Sequence, residues 1–452
     1  MKVIVVGSGG REHAIAWKLA QSQMVSEVVC VPGNGGTAFE DKCVNIDPAC
    51  CTYLNGVRGP EAYVGIARHE GCALAVIGPE EPLAQGVADL FWAAGIPAVG
   101  PKKQAAQLEA SKDLAKRFMS AHGVACAGSR TFTDKDEALA YIEQHGAPVV
   151  IKADGLAAGK GVVVSRSKEE AKKAVEDFME EGLLGEAGKK LVIEEYLRGT
   201  EVSVLAAVSV TPESARNGNA CIIPFLSARD HKRLCDGAKG PNTGGMGAVS
   251  PVDDVTPLVQ SQFEKNILQP TLKGLVEEGY DYRGFLFFGL MLTEDGPKCL
   301  EYNVRLGDPE TQAVLPLMDF DFAELCMAVA EDRLKGFTCA WKPGYVVAPV
   351  AVSGGYPAGY KKGLPIIIKS DFPAESAKLF IAGAITDRRI ERDITDELYR
   401  LITSGGRVLA CSAHGRTFDE AWKKAYSAMD AVTFEGMFFR KDIGLPGAAE
   451  ST

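Results

Sequence analysis

Apolar and polar positions along the first hundred residues alternate between two periods. Val3-Ile4-Val5-Val6 is an unbroken apolar run that stops at Gly7-Ser8-Gly9-Gly10, the pattern of a buried strand ending in a glycine turn. REHAIAWKLAQS then brings apolar residues round at helical spacing. VSEVVCVPGN, CALAVIGPEEP and IPAVGP predict a second, third and fourth strand, with LAQGVADLFWAAG as the helix between the last two. Strand–turn–helix repetition predicts a parallel sheet with helices on its faces, an α/β domain over residues 1–102. Ligands of such sheets lie beyond the carboxyl ends of the strands. Those ends carry the small-residue turns 7–10, 32–36, 78–82 and 100–101, which together predict a binding rim.

The pattern then changes. Residues 104–122, containing LEASKDLAKRFM, predict a helix, and 123–190 a compact α+β segment. LVIEEYL opens a larger strand-rich region that runs to a helix near 320–334. From about 336, YVVAPVAVSGGYP, LFIAGAIT and GGRVLACSAHG predict short strands, and TFDEAWKKAYSAMDAV a late helix. The tail GLPGAAEST predicts no element. The expected architecture is a multidomain α/β and α+β protein: residues 1–102, a core of 103–122 with 191–335, an insertion of 123–190, and a small mixed α/β domain over 336–445.

Composition narrows the function classes. A chain of 452 residues is too long for one core. Its formal net charge of −10 gives a nucleic-acid partner no electrostatic support, while a local basic site still suits a small anion. No apolar run approaches the roughly 20 residues that cross a bilayer, and turn residues cut the first apolar run too early for a signal peptide. The 12 cysteines form no CxxC pair or Cys/His cluster and read as scattered thiols of a reducing cytosol.

Three glycine-rich stretches and one charged strand carry the chemistry. GSGGREHA has Glu12 where a dinucleotide fingerprint needs its third glycine, which argues against NAD. Backbone N–H groups at this helix start, with Arg11 beside them, suit an anion, and a tight turn that demands small residues accounts for the glycines equally well. VVIKADGLAAGKGVVV has the glycines and lysine of a phosphate loop, Gly155, Gly159, Lys160 and Gly161. It lacks the Ser or Thr of a Walker A motif and runs into a strand. It predicts a flap between two strands, with Lys152 and Lys160 reaching phosphate oxygens; a plain hairpin with solvated lysines is the alternative. PNTGGMGAVSP, after the basic run Arg229, His231, Lys232 and Arg233, lets backbone approach a ligand closely, with Asn242 and Thr243 as polar contacts. LVIEEYLRGTEVSV offers a nucleoside hinge, with Glu201 as acceptor for ribose hydroxyls. In LEYNVRLGDPETQ, Glu301, Asn303 and Arg305 alternate and face one side of a strand. Glu301 and Asn303 are oxygen ligands suited to Mg²⁺, and Arg305 is placed to hold charge developing on a transferring phosphoryl group. A strand with a merely solvated polar face is the alternative.

GSGGREHAIAW, PGNGGTA, GPEEPL, ASKDLAKRFM, VVIKADGLAAGKGVVV, DHKR, GPNTGGMGA, EYNVRLGDPETQ, SGGRVL and RKDIG stand in an order that resembles the phosphoribosylamine–glycine ligase family, ATP-grasp enzymes of purine synthesis. The resemblance spans almost the whole chain. It implies an N-terminal parallel α/β substrate domain, an ATP-grasp core with a mobile lid at 123–190, and a small C-terminal domain. It also implies ligation of glycine to 5-phosphoribosylamine through glycyl phosphate, using ATP and Mg²⁺ or Mn²⁺, in a cytoplasmic monomer or weak homodimer with no nucleic-acid or membrane partner. By similarity, Lys112, Lys152, Gly155, Gly159, Lys160 and Gly161 hold the ATP phosphates, while Glu194, Glu195, Tyr196, Leu197 and Glu201 frame the nucleoside. Glu301 and Asn303 bind the metal, and Arg305 and Lys152 are the catalytic side chains. Gly9, Gly10, Arg11, Glu12, Asn242, Thr243, Gly244, Gly245, Asp308 and Pro309 take the substrates. Residues 43–60 and 387–408 depart from the family pattern, away from the ATP motifs.

Overall fold

The computed structural model describes residues 1–156, 161–180, 185–387 and 401–448. The apolar run Lys2–Gly7 becomes the middle strand of a five-stranded, all-parallel sheet in the order 43–45, 27–32, 2–7, 74–77, 98–99. The chain builds one side of that strand first and then crosses to the other. The switch opens a crevice at the carboxyl end of Lys2–Gly7, where the Gly7 turn (φ 127°) leads into the helix Gly10–Ala20. Two elements of this domain lie in the atypical stretch 43–60 and beside it: the edge strand Cys43–Asn45, and the helix Pro60–Glu70, which Gly59 enters at φ 68°. The helix expected over LAQGVADLFWAAG is two, Glu80–Gln85 and Val87–Ala93, broken where Gly86 turns to φ 93°.

The helix expected over 104–122 is likewise broken, into Lys103–Ala110 and Lys112–Ala121. Ser111 adopts an extended backbone between them, and its hydroxyl accepts the Leu114 N–H as an N-cap. A four-stranded antiparallel sheet follows in the order 129–132, 191–195, 149–153, 162–165. Ala138, Ile142, Ala171, Val175 and Phe178 of two helices cover it, closing a small core with Ile151, Leu191 and Ile193. Val149–Ala153 and Val162–Ser165 are its antiparallel neighbours, so the glycine-rich loop does join two strands. Gly159 and Lys160 at its tip lie outside the described residues, as do most of 387–408 and the end of the tail. The strand Leu191–Glu195 is inserted between 129–132 and 149–153, so the boundary expected at 190/191 falls inside this sheet.

The largest sheet has eight antiparallel strands in the order 296–303, 282–293, 200–210, 221–230, 247–250, 345–352, 407–415, 377–381. Gly247–Ser250 pairs with Tyr345–Val352, so the strands on either side of residue 335 form one sheet. All twelve cysteines are unpaired. Among the described residues no helix is long and apolar enough to cross a membrane.

Candidate active site

Lys152 is the fourth residue of Val149–Ala153 and points into the protein, 5 % exposed. Its Nζ lies 2.9 Å from Glu194 Oε1 and donates to the Leu300 carbonyl at 3.2 Å. Lys116, from the helix Lys112–Ala121, reaches the other oxygen of the same carboxylate at 3.0 Å. Two ammonium groups thus share one carboxylate in a dry setting. Burial alone would discharge Lys152, yet the fields of Glu194 and Glu301 hold its pKa above the ordinary lysine value. Glu194, expected to frame a nucleoside, has its carboxylate paired with these two lysines. Glu195 closes on Gly128: its carboxylate accepts the Gly128 N–H at 2.9 Å, and its own N–H donates to the Gly128 carbonyl. Tyr196 stacks under the Arg166 guanidinium, 5.2 Å from ring centroid to carbon, and Leu197 follows it out of the sheet. Glu201, at the start of Thr200–Val210, pairs with Lys232 Nζ at 2.6 Å.

The near side of the glycine-rich loop is anchored to a helix start. Asp154 accepts from Ser111 Oγ at 2.9 Å and from the Asp113 N–H at 3.1 Å, and pairs with Lys190 at 2.7 Å. Lys112 Nζ donates to the Gly155 carbonyl at 2.8 Å. A Cβ on Gly155 would stand 2.6 Å from the Ala187 methyl, so the loop needs glycine there. Gly161, on the far side, lines a cavity of about 390 Å³ together with Lys112.

That cavity gathers the charged strand end. Glu301 and Asn303 stand side by side, with Asn303 Nδ2 donating to Glu301 Oε1 at 3.4 Å. The strand ends at Asn303, so Arg305 is beyond it rather than on its face; its Nη2 nevertheless reaches Asn303 Oδ1 at 3.3 Å. Arg305 also pairs with Glu109 at 2.9 Å and Glu80 at 3.3 Å. Burial opposes ionisation of Glu301, but the fields of Lys232, Lys152 and Lys112 outweigh it and hold the carboxyl at about 2. Glu301 is therefore an anion throughout the working range. No cluster of three or more His, Cys, Asp or Glu side chains suited to a metal occurs among the described residues. A donor set of one carboxylate and one amide oxygen fits Mg²⁺, which takes its remaining ligands from water and phosphate.

The N-terminal turn has a different occupant from the one expected. Glu12 folds back over its own helix start, accepting the Gly9 N–H at 2.6 Å and Arg11 Nε at 2.6 Å. A Cβ on Gly7 or Gly78 would collide with the Glu12 side chain at 2.4 Å or 2.1 Å, so those glycines make room for it. The tight-turn reading accounts for these glycines, and the chain's own carboxylate serves the Gly9 N–H intended for an external anion. Gly10 fits against Gln312, which would lie 2.6 Å from a Cβ there. Arg11 is buried and donates from Nη1 to the Leu306 carbonyl at 3.1 Å, which brings the N-terminal rim against the Glu301–Arg305 segment.

The second loop closes the same cavity. Asn242 ends the short strand Lys239–Asn242, and Thr243 turns back on the Lys232 carbonyl through its N–H and its hydroxyl, each at 2.8 Å. The Gly244 N–H donates to Tyr356 Oη at 2.9 Å, and Arg407 Nη1 donates to the Gly244 carbonyl. Gly245, at φ 111°, passes so close to Asp230 and Pro309 that a Cβ would stand 2.5 Å from each. Asp308 pairs with Arg407 at 3.2 Å. Its carboxyl stays below the usual range: burial pushes upward, but the guanidinium groups of Arg407 and Arg11 outweigh it.

The structure thus brings Lys112, Gly161, Glu301, Asn303, Arg305 and Thr243 to one cavity, with Arg11, Gly244 and Asp308 on its wall. Sequence reasoning missed Glu80, Glu109, Lys116, Asp230 and Arg407. Glu80, Lys116, Asp230 and Arg407 lie inside the motifs GPEEPL, ASKDLAKRFM, DHKR and SGGRVL, so a signal existed. Glu109 lies on a helix, where nothing local marks a charge as buried. Asp230 is the last residue of the strand Cys221–Asp230. Its Oδ1 has no hydrogen-bond partner among the described residues, and burial, then the field of Glu310, pushes its carboxyl well above the usual range.

A strand-to-strand glycine loop over a lysine- and acid-lined cavity, between a small antiparallel sheet and a large one, defines the ATP-grasp class of fold. A biotin carboxylase domain of Hydrogenobacter thermophilus 2-oxoglutarate carboxylase shares this fold at 18 % identity and a TM-score of 0.68, over 97 % of this chain and 91 % of that one. Family models match in series: phosphoribosylglycinamide synthetase N domain over residues 1–109, its ATP-grasp (A) domain over 110–311 and its C domain over 346–446. The chain belongs to the phosphoribosylglycinamide synthetase family. It is 45 % identical to the phosphoribosylamine–glycine ligase of Clostridium acetobutylicum, over 98 % of this chain and 99 % of that protein. It is 43 % identical to that of Vibrio vulnificus, over 98 % of each. The crystal structure of the Thermotoga maritima phosphoribosylamine–glycine ligase superposes with a TM-score of 0.76 at 35 % identity, over 98 % of this chain and all of that one.

Proposed function

We propose that this chain ligates glycine to 5-phosphoribosylamine, giving glycinamide ribonucleotide, ADP and phosphate, as a step of purine synthesis. The observation that carries the reading is the convergence of Glu301, Asn303, Arg305 and Lys112 with the 242–245 loop on one cavity, in a chain that matches this family from end to end.

A carboxylate is a poor electrophile because oxide is a poor leaving group. In the first step a glycine carboxylate oxygen takes the γ-phosphoryl group of ATP, and ADP departs with the electrons of the broken P–O bond. The amine of phosphoribosylamine then attacks the glycyl carbonyl carbon, phosphate leaves, and the amine proton passes to solvent or phosphate. Lys152 and Lys112, with Lys160 and the backbone of Gly155, Gly159 and Gly161, bind and orient the phosphates; Arg305 holds the charge spread over the transferring group. Glu301 and Asn303 hold Mg²⁺ (or Mn²⁺), which when bound neutralises charge on the phosphate oxygens. The Tyr196–Leu197 segment and Glu201 frame the nucleoside. Arg11, Asp308 and the Thr243–Gly244–Gly245 turn face the phosphoribosylamine, with Gly9, Gly10, Glu12, Asn242 and Pro309 shaping that wall. Closing the 123–190 segment over the site keeps water from the acyl phosphate. Residues 1–102 serve as substrate domain, 103–122 with 191–335 as core, although 191–195 completes the sheet of the 123–190 segment, and 336–445 as C-terminal domain that shares the core's large sheet. The chain works in the cytoplasm as a monomer or weak homodimer.

Phosphate release from ATP is the test. Release that needs both glycine and phosphoribosylamine generated in situ is the expected result. Release indifferent to glycine would identify a ligase for another substrate, and no release under any pairing would identify a protein that binds nucleotide without chemistry.

A further inference from the structure

RKDIG, near the end of the chain, has no part in the chemistry above, yet its arginine is the largest wholly buried side chain among the described residues, 0 % exposed. Arg440 grips Asp442 with two nitrogens, Nε to Oδ1 and Nη2 to Oδ2, each at 2.8 Å. Its remaining bonds run to the Arg233 carbonyl at 3.1 Å and the Ala448 carbonyl at 2.8 Å. Asp442 Oδ2 also accepts the Gly237 N–H at 2.7 Å, the Lys441 N–H donates to Asp236 at 2.8 Å, and the Gly444 N–H donates to His231 Nε2 at 3.0 Å. Three of these bonds, to Arg233, Asp236 and Gly237, reach one element: the hairpin of Arg233–Cys235 and Lys239–Asn242, a two-stranded sheet separate from the three larger ones.

That hairpin begins at Lys232 and ends at Thr243, and those two residues are bonded to each other across its root. A small cavity lined by Glu201, Lys232, Arg233 and Arg440 puts the buried arginine on one wall and the Glu201–Lys232 pair on another. We infer that Arg440, with Asp442, is a positioning residue for the reaction: it clamps the 233–242 hairpin and so sets the Thr243–Gly244–Gly245 turn at the phosphoribosylamine side of the site. The inference rests on the function proposed above. Lysine cannot replace the arginine, because one ammonium cannot span both oxygens of Asp442 while also serving two carbonyls.

The full-length Arg440→Lys and the isosteric Asp442→Asn variants test it, with kinetics and amide hydrogen exchange read in parallel. KM for phosphoribosylamine is expected to rise about tenfold, in line with loss of a positioning contact. KM for ATP is expected to move less, within about twofold, since Glu201 lies on the main sheet and only its partner Lys232 stands at the hairpin root. Unchanged constants in folded variants, or an ATP KM that climbs in parallel, would overturn the clamp. Amide exchange over 232–245 needs no substrate and is expected to quicken in both variants; unchanged exchange overturns the clamp whatever the substrate proves to be. A wild-type enzyme indifferent to phosphoribosylamine would refute the functional reading separately.

Discussion

Glu194 is a single buried carboxylate, 2 % exposed, facing two buried ammonium groups, Lys152 and Lys116. Such an arrangement is stable only while the anion is present. Glu194→Gln keeps the shape and removes the charge, which leaves two buried cations facing each other across an amide. Breaking a buried pair from one side costs about 3–5 kcal/mol. Denaturant unfolding of this variant is expected to show a loss of that order, and a loss below about 1 kcal/mol would mean that Lys152 and Lys116 had found other partners. Glu301 gives a different outcome, because the role proposed for it lies with phosphate and metal. Glu301→Gln is expected to lower phosphate release by about 100-fold or more, as removal of one charge-stabilising group does. Its Tm is expected to fall too, since Lys232, Lys152 and Lys112 lose the charge they face, but near-normal turnover would remove Glu301 from the metal site.

At the scale of elements, His231 joins the end of Cys221–Asp230 to the C-terminal segment. Its Nδ1 lies 3.1 Å from the Gly247 carbonyl, and its Nε2 accepts the Gly444 N–H at 3.0 Å. The carbonyl needs a proton on Nδ1 and the N–H needs a bare Nε2, so the ring is built to be neutral. Burial, then the nearby Arg440, pushes its pKa down to about 4. A group whose folded pKa lies below its unfolded value, near 6.5, contributes stability that is complete above 6.5. That stability is lost as pH falls through about 4, and the loss is about 3 kcal/mol. Unfolding free energy measured between pH 7 and 4 should therefore fall more steeply for wild type than for His231→Gln, and parallel slopes would show that the histidine ionises freely.

Elements were legible in the sequence where one period held over a whole segment, as in Lys2–Gly7, Gly10–Ala20 and Phe418–Asp430. The helix breaks at Gly86 and Ser111 were not, because one needs a left-handed backbone and the other a capping hydroxyl inside an otherwise continuous helical pattern. Sheet membership was hidden too. LVIEE reads as a strand from its residues, but its neighbours at 129–132 and 149–153 are fixed by hydrogen bonds that leave no local mark. In the site, residues in glycine-rich or alternating motifs were visible. Glu109 was not, since burial makes it important and burial is a property of the packed whole. The pairing of Glu194 with Lys152 and Lys116 was hidden for the same reason: the three come from distant stretches.

The whole molecule turns on its eight-stranded sheet. Five strands come from residues 200–303 and three from 345–415, joined where Gly247–Ser250 meets Tyr345–Val352. A chain cut at residue 335 would present that edge, with Ala248 and its apolar neighbours Ala313 and Leu317 stripped of Val346 and Ala348. An unpaired edge of this kind templates association. The truncated chain is expected to be insoluble on expression, while the full chain is soluble; a soluble monomer that binds ATP would show the first 335 residues to be a self-sufficient unit.

The joint also sets an order of events during synthesis. When the ribosome has released residues up to 303, Gly247–Ser250 can pair with Cys221–Asp230 on one side but has nothing on the other. It waits for a strand nearly a hundred residues further along the message. Domains usually fold in turn as they emerge. Here the part up to residue 335 stays unfinished until the C-terminal strands arrive, so a ribosome that stalls late in the message leaves an open sheet edge.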